Sequence, residues 1–301
     1  MAERKTNGFR KTLLGAALGA VFLSPAAAFA GDAPAMWRLK DADSEVYLFG
    51  TFHVLPASVQ WTTPAFDAAM QETETTITEA DVTSPEAQAA MLGLVQKYGL
   101  NPHGVTLSST LGPERAAEVE RIAGSLGVPM ATLEPFRPWL ALISLGSVAM
   151  QSSGFDPASG VERVVIARAA SQSDRIEYFE TAEEQIKILA SLDDEEMLAN
   201  FDVTVEQFDD FKALTEGMLA SWKAGDLDAL EADILAPLRD TSPAAFRDLI
   251  VARNKNWVAK IAAIMEGEGD YFIAVGAGHL VGEDSVVDLL GERGFAVERV
   301  Q

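Results

Sequence analysis

Apolar and polar positions first organise the chain as short runs separated by turn formers. Met36–Lys40 and Glu45–Gly50 flank Asp41-Ala42-Asp43-Ser44, a spacing that predicts a β-hairpin. Further strands are predicted at 75–81 (TTITEAD), 174–180 (DRIEYFE), 270–279 (DYFIAVGAGH) and 294–300 (GFAVERV). Helix starts stand between them: Pro85 after Ser84, Pro113 with Glu114 after Gly112, and Thr181 with Glu184 as a capping box. From about 184 to 268 the pattern is almost wholly helical. Within it, residues 242–267 predict one long helix, capped by Ser242, started by Pro243 and carrying a stripe of Phe246, Ile250, Trp257, Ile261 and Met265. Strands gathered early and late around helical blocks predict an α/β fold: a mixed central β-sheet flanked by helices, with a large helical block in the second half.

The first thirty residues obey another grammar. Arg4, Lys5, Arg10 and Lys11 precede an uncharged apolar stretch that closes on Ala28-Phe29-Ala30. Basic, apolar, then small residues is the order of a secretory signal, so cleavage after Ala30 is expected, leaving 31–301 as one domain in the periplasm or secreted. The apolar run from Trp139 to Met150 falls short of the ~20 residues needed to span a bilayer. No stable membrane anchor is therefore expected after cleavage.

Composition narrows the chemistry. The chain has a formal charge of −22, and without residues 1–30 it has 19 basic against 44 acidic residues. A surface of that sign repels phosphate backbones, which argues against a nucleic-acid partner. There is no cysteine, so disulfides, thiolate nucleophiles and cysteine metal ligands are all ruled out. Oxygen and imidazole groups must carry any reaction.

Two of the three histidines repeat one pattern. Gly50-Thr51-Phe52-His53 and Gly276-Ala277-Gly278-His279 each put G-x-x-H at the end of a predicted strand. A glycine there serves a backbone that must turn with positive φ or be approached closely. If the two strands are parallel neighbours, both imidazoles stand at one sheet edge. Glu79, at the end of a third strand and on the face of Ile77, would complete a His, His, Glu set suited to Zn, Mn or Co. Asp81 is a weaker candidate, Glu162 and Glu180 are further acids beside apolar surface, and His103 lies among turn formers. Arg253 and Asn254 fall on or beside the apolar stripe of the long helix, where a buried polar group needs a partner.

Taken in order, WRL, SEVYLFGTFHVLP, ITEAD, GVE, FETAEEQ, ARNKNW and AVGAGHLVGEDSVVDLL make the chain resemble the TraB/GumN family over nearly all of its length after residue 30. The wider relatives of that family include the Tiki metalloproteases, erythromycin esterase and the haem-binding ChaN-like proteins. The resemblance implies a divalent-metal-dependent hydrolase acting on a peptide or other small polar substrate, with His53, Glu79 and His279 holding Mn, Co or Zn. It also implies a place near the site for Arg253 and Asn254, orienting substrate or a carboxylate. On this reading Glu162 or Glu180 serves as general base and Arg253 stabilises an oxyanion. The resemblance leaves two alternatives open: a non-catalytic haem- or metal-binding protein, and an accessory factor in envelope polysaccharide production.

Overall fold

Eight residues, Ser44–Thr51, form strand β2, and all but Glu45 are buried, as expected of a strand covered on both faces. In the computed structural model, which describes residues 33–191, 201, 205 and 208–301, β2 lies inside a six-stranded mixed sheet. The other strands are β1 (Met36–Lys40), β3 (Thr75–Ala80), β4 (Arg175–Glu180), β5 (Gly269–Gly276) and β6 (Val297–Arg299). Their spatial order is β4-β3-β5-β2-β1-β6. β4, β3, β5 and β2 run parallel, while β1 is antiparallel to both β2 and β6. The predicted hairpin is present, its turn closed by Asp41 Oδ1 accepting from the Asp43 and Ser44 N–H groups. The expected secretory segment, 1–30, lies outside the described residues.

Helices cover both faces. On one, α1 (Pro64–Glu72), α2 (Val161–Gln172) and α3 (Phe211–Ala224) bury Phe66, Met70, Val165 and Trp222 against Tyr47, Phe49 and Phe272 of the sheet. Trp222 Nε1 donates to the Gly50 carbonyl at 2.8 Å, tying that layer to the end of β2. On the other face, α4 (Ala252–Ile264) and α5 (Val286–Glu292) bury Trp257, Val258, Ile261 and Leu290 against Val46, Leu48, Ile77 and Ile273. Alternate strand residues supply the two cores, as the two-residue period of a strand requires.

The long helix predicted over 242–267 is interrupted. It runs as an α-turn at Pro243–Phe246, a π-helical turn at Arg247–Val251, and then α4. A π turn accommodates one extra residue and shifts the phase of the turns C-terminal to it. Arg253 and Asn254 thereby share the buried side of the helix with Trp257 and Val258, and Arg253 Nη1 donates back to the Leu249 carbonyl inside the π turn at 3.2 Å. No helix among the described residues is long and apolar enough to cross a membrane.

Candidate functional site

The carboxyl ends of β2, β3, β4 and β5 open at one edge of the sheet, where open α/β sheets place their ligands. The two glycine-led strand ends are parallel neighbours, with Gly50 opposite Val275 and Thr51 opposite Gly276. His53, Glu79, Glu180 and His279 lie at or just beyond the ends of these strands, and Glu162 enters from the first turn of α2. The structure thus brings His53, Glu79 and His279 to one place. A Cβ at Gly276 would meet Glu79 Oε1 at 3.2 Å, His279 Cδ2 at 3.6 Å and His53 Nε2 at 3.7 Å. Gly276 has φ −49°, so it is there for space and not for positive φ. Its N–H also donates to Glu79 Oε1 at 2.8 Å.

His53 is the open side of the cluster, its side chain 68% exposed. Its Nδ1 is hydrogen-bonded to Glu162 Oε1, which also accepts from Thr51 Oγ1 at 2.5 Å. Gly160 makes this contact possible. The start of α2 abuts the His53 loop so closely that a Cβ at Gly160 would overlap the His53 carbonyl oxygen. The negative charge of Glu162 raises the His53 pKa, against the effect of burial, toward about 9. Solvent reaching the ring screens part of that attraction, and its direction is upward. Glu162 in turn is held below the usual carboxylate range: burial opposes its charge, but the charge of His53 and the hydrogen bonds from His53 and Thr51 outweigh that cost.

His279 is the closed side, 5% exposed. Asn254 Nδ2 donates to the Asp284 carbonyl at 2.8 Å, so Asn254 Oδ1 must be the acceptor facing His279 Nδ1 at 2.6 Å. His279 therefore carries its proton on Nδ1, and its Nε2 lone pair receives Arg253 Nη1–H at 3.0 Å. The ring lies over Trp257, with centroids 4.5 Å apart. Burial pushes its pKa down to about 3, with Glu79 opposing and the charges of Arg253 and His53 adding to the fall.

Arg253 joins the remaining acids. Nη2 donates to Glu79 Oε2 at 2.6 Å and to Glu180 Oε2 at 2.9 Å, Nε to Glu180 Oε1 at 2.9 Å, and Nη1 to Leu249 O and His279 Nε2. A guanidinium has five N–H donors, so each of them is engaged. The guanidinium also lies 4.7 Å over the Trp257 ring, and Trp257 Nε1 donates to Glu180 Oε1 at 2.9 Å. Burial works against the Glu79 carboxylate, yet His279, Arg253, His53 and the Gly276 N–H hold it down at about 2. Since burial favours neutral His279, Arg253, His53 and the Gly276 N–H sustain that ionisation near neutral pH.

Several expected roles change. Glu180 does not stand as a free base, because both its oxygens are committed to Arg253 and Trp257. Arg253 has no N–H left for an oxyanion, and Asn254 orients His279 instead of meeting a substrate. Asp81 accepts from Thr83 N, Ser84 N and Ser84 Oγ, which makes it a turn residue. Four positions were not legible as site residues: Thr51, Gly160, Trp257, and Gln185, whose Nε2 reaches Glu79 Oε2 at 3.2 Å. Trp257 stands one helical turn beyond Arg253 on the same side, but it reads as part of the core stripe.

The donor types suit a divalent cation, but their arrangement does not. His279 Nε2 and Glu79 Oε1 stand 3.9 Å apart, yet the imidazole lone pair and one carboxylate oxygen are taken by a permanent cation. Among the described residues no three His, Asp or Glu side chains are placed to hold a metal ion.

The buried groups set an acid limit on stability. His279 favours its neutral form in the fold, so its contribution is full above an unfolded pKa near 6.5 and is lost as pH falls toward 3. That of Glu79 is full above 4.5 and is lost toward 2. His53 has the opposite sign, its contribution being present below 6.5 and lost as pH rises toward 9. Urea unfolding from pH 7 down to 4 should lose up to about 1.4 kcal/mol per pH unit for each group titrating. A His279→Gln variant should lose less over that interval, and identical curves would refute the assignment.

These features define the class: an α/β protein with an exposed histidine–carboxylate pair and a buried histidine–arginine–carboxylate network at the carboxyl edge of its parallel strands. The chain belongs to the TraB/PrgY/gumN family, whose sequence pattern matches residues 35–299. It is 25% identical over 222 residues to the uncharacterized protein YbaP of Escherichia coli (strain K12), covering 73% of this chain and 78% of that one. It is 22% identical to Metalloprotease TIKI1 of Danio rerio, covering 87% of this chain and 62% of that one. No solved structure matches the chain.

Proposed function

We propose that this protein is an exported hydrolase that cleaves an acyl bond in a peptide or other small polar substrate, with His53 as general base. The observation that carries this reading is the His53–Glu162 pair: a solvent-reached imidazole whose Nδ1–H is held by a buried carboxylate and whose Nε2 faces the space over Gly276. Glu162 fixes the tautomer and favours the imidazolium that forms when Nε2 takes a proton from water. Glu162 is thus a positioning residue, as Thr51 is behind it. His279, Asn254, Arg253, Glu79 and Glu180 form the fixed floor of the site. Export is supported by the basic, apolar and small-residue order of the first thirty positions.

The test is a panel of peptides and small esters incubated with the mature protein in ¹⁸O-water, products being read by mass spectrometry. Expected is one ¹⁸O in the new carboxyl group, with kcat/KM rising with pH through an apparent pKa above the ordinary histidine value of ~6.5. No turnover of any member of the panel would refute the reading. A second form of the activity, with Mn, Co or Zn held by His53, Glu79 and His279, draws on the likeness to Metalloprotease TIKI1. It requires Arg253 to leave both Glu79 and His279.

A further inference from the structure

The likeness to a metalloprotease and the arrangement of these side chains disagree, and the disagreement centres on one group. Glu79 and His279 are the two buried ligands that a divalent cation would share, and a single guanidinium already lies between them. Its place is over-determined: Glu180 takes Nε and Nη2, the Leu249 carbonyl takes Nη1, and the Trp257 ring closes the face below. The π turn at Arg247–Val251 sets the helical phase that delivers it. The tautomer of His279 conforms to the same arrangement. Asn254 is oriented by the Asp284 carbonyl, it fixes the imidazole proton on Nδ1, and it so presents the Nε2 lone pair to Arg253. Every donor in this relay meets an acceptor, and a metal at ~2 Å from Glu79 and His279 would displace the guanidinium or sit against its charge.

We propose that Arg253 is the resident cation of this site, occupying the position between Glu79 and His279 that a divalent metal would take, so that the protein binds no metal through these two residues. The proposal rests on the hydrolase reading only for its setting, since its test is read without turnover.

Protein stripped with EDTA is given Mn²⁺, Co²⁺ or Zn²⁺ in turn, desalted, analysed for retained metal and melted. Wild type is expected to retain none and to show an unchanged Tm. Arg253→Met, which removes the charge and keeps an apolar stem over Trp257, is expected to retain one equivalent and to gain Tm with metal concentration. Arg253→Met combined with His279→Gln should lose both effects. Wild-type protein that retains about one equivalent, lost in His279→Ala, would overturn the proposal, as would a folded Arg253→Met that takes up none. If Arg253→Met does not fold without metal, the wild-type measurement still decides. Failure of the hydrolase reading shows separately, as absence of turnover with the metal result intact.

Discussion

His53→Ala should lower kcat/KM by about 10²–10⁴-fold, the range a positioned general base contributes. The fold should survive, because the ring is mostly solvent-exposed and none of the apolar core rests on it. Glu162→Gln should cost less in rate and change the pH dependence more. An amide can still accept from Nδ1–H, so the ring keeps its orientation, but the charge that raises the His53 pKa is gone. The rising limb of the pH profile should therefore move down toward ~6.5, and a plateau reached at lower pH should accompany a lower maximum. Because the two residues act as one unit, the double variant should be no worse than His53→Ala alone. A Glu162→Gln profile superimposable on wild type would show that the carboxylate has no hold on the base.

The largest stability loss is expected from Arg253→Met. The substitution leaves Glu79 and Glu180 without their shared partner, each with only 11–13% of its side chain exposed. Removing one member of a buried ion pair typically costs about 3–5 kcal/mol, because the charge left behind has lost both its partner and its water. Chemical unfolding should show that loss in the midpoint. Adding Glu180→Gln should recover part of it, because one stranded charge is then removed, and the coupling between the two positions reports how far they act together. A loss of less than about 1 kcal/mol would mean that solvent reaches the cluster far more readily than its burial indicates.

Much of this site was legible in the chain because its parts obey local rules. Two G-x-x-H segments after apolar runs implied two strand ends, and the sheet does place Thr51 beside Gly276. Glu79 was legible by strand alternation, and the mixed sheet by the alternation of strands and helices. The pairing of His53 with Glu162 was not, since 109 residues separate them and the contact depends on Gly160 letting a helix start touch a loop carbonyl. The role of Glu180 was hidden for a similar reason: it ends strand β4, and its partners Arg253 and Trp257 come from α4, 73 and 77 residues away. The π turn escapes a regular 3.6-residue period drawn through 242–267, although Arg253 and Asn254 stand out as polar groups on or beside an apolar stripe. Trp257 fits the core pattern so well that its contacts with His279 and Arg253 have no separate signature.

The order of strands in the sheet bears on when the site can first assemble. β5 is fifth of six in the chain, yet it is inserted between β3 and β2, which do not otherwise pair. Until residues beyond Gly276 have emerged and docked, His53 has no His279 beside it, and Glu79 lacks both the Gly276 N–H and the strand that brings it near β2. A partly synthesised chain therefore lacks the assembled site. Contacts of such long range also make folding slow. The site is completed late, with the closing of the sheet.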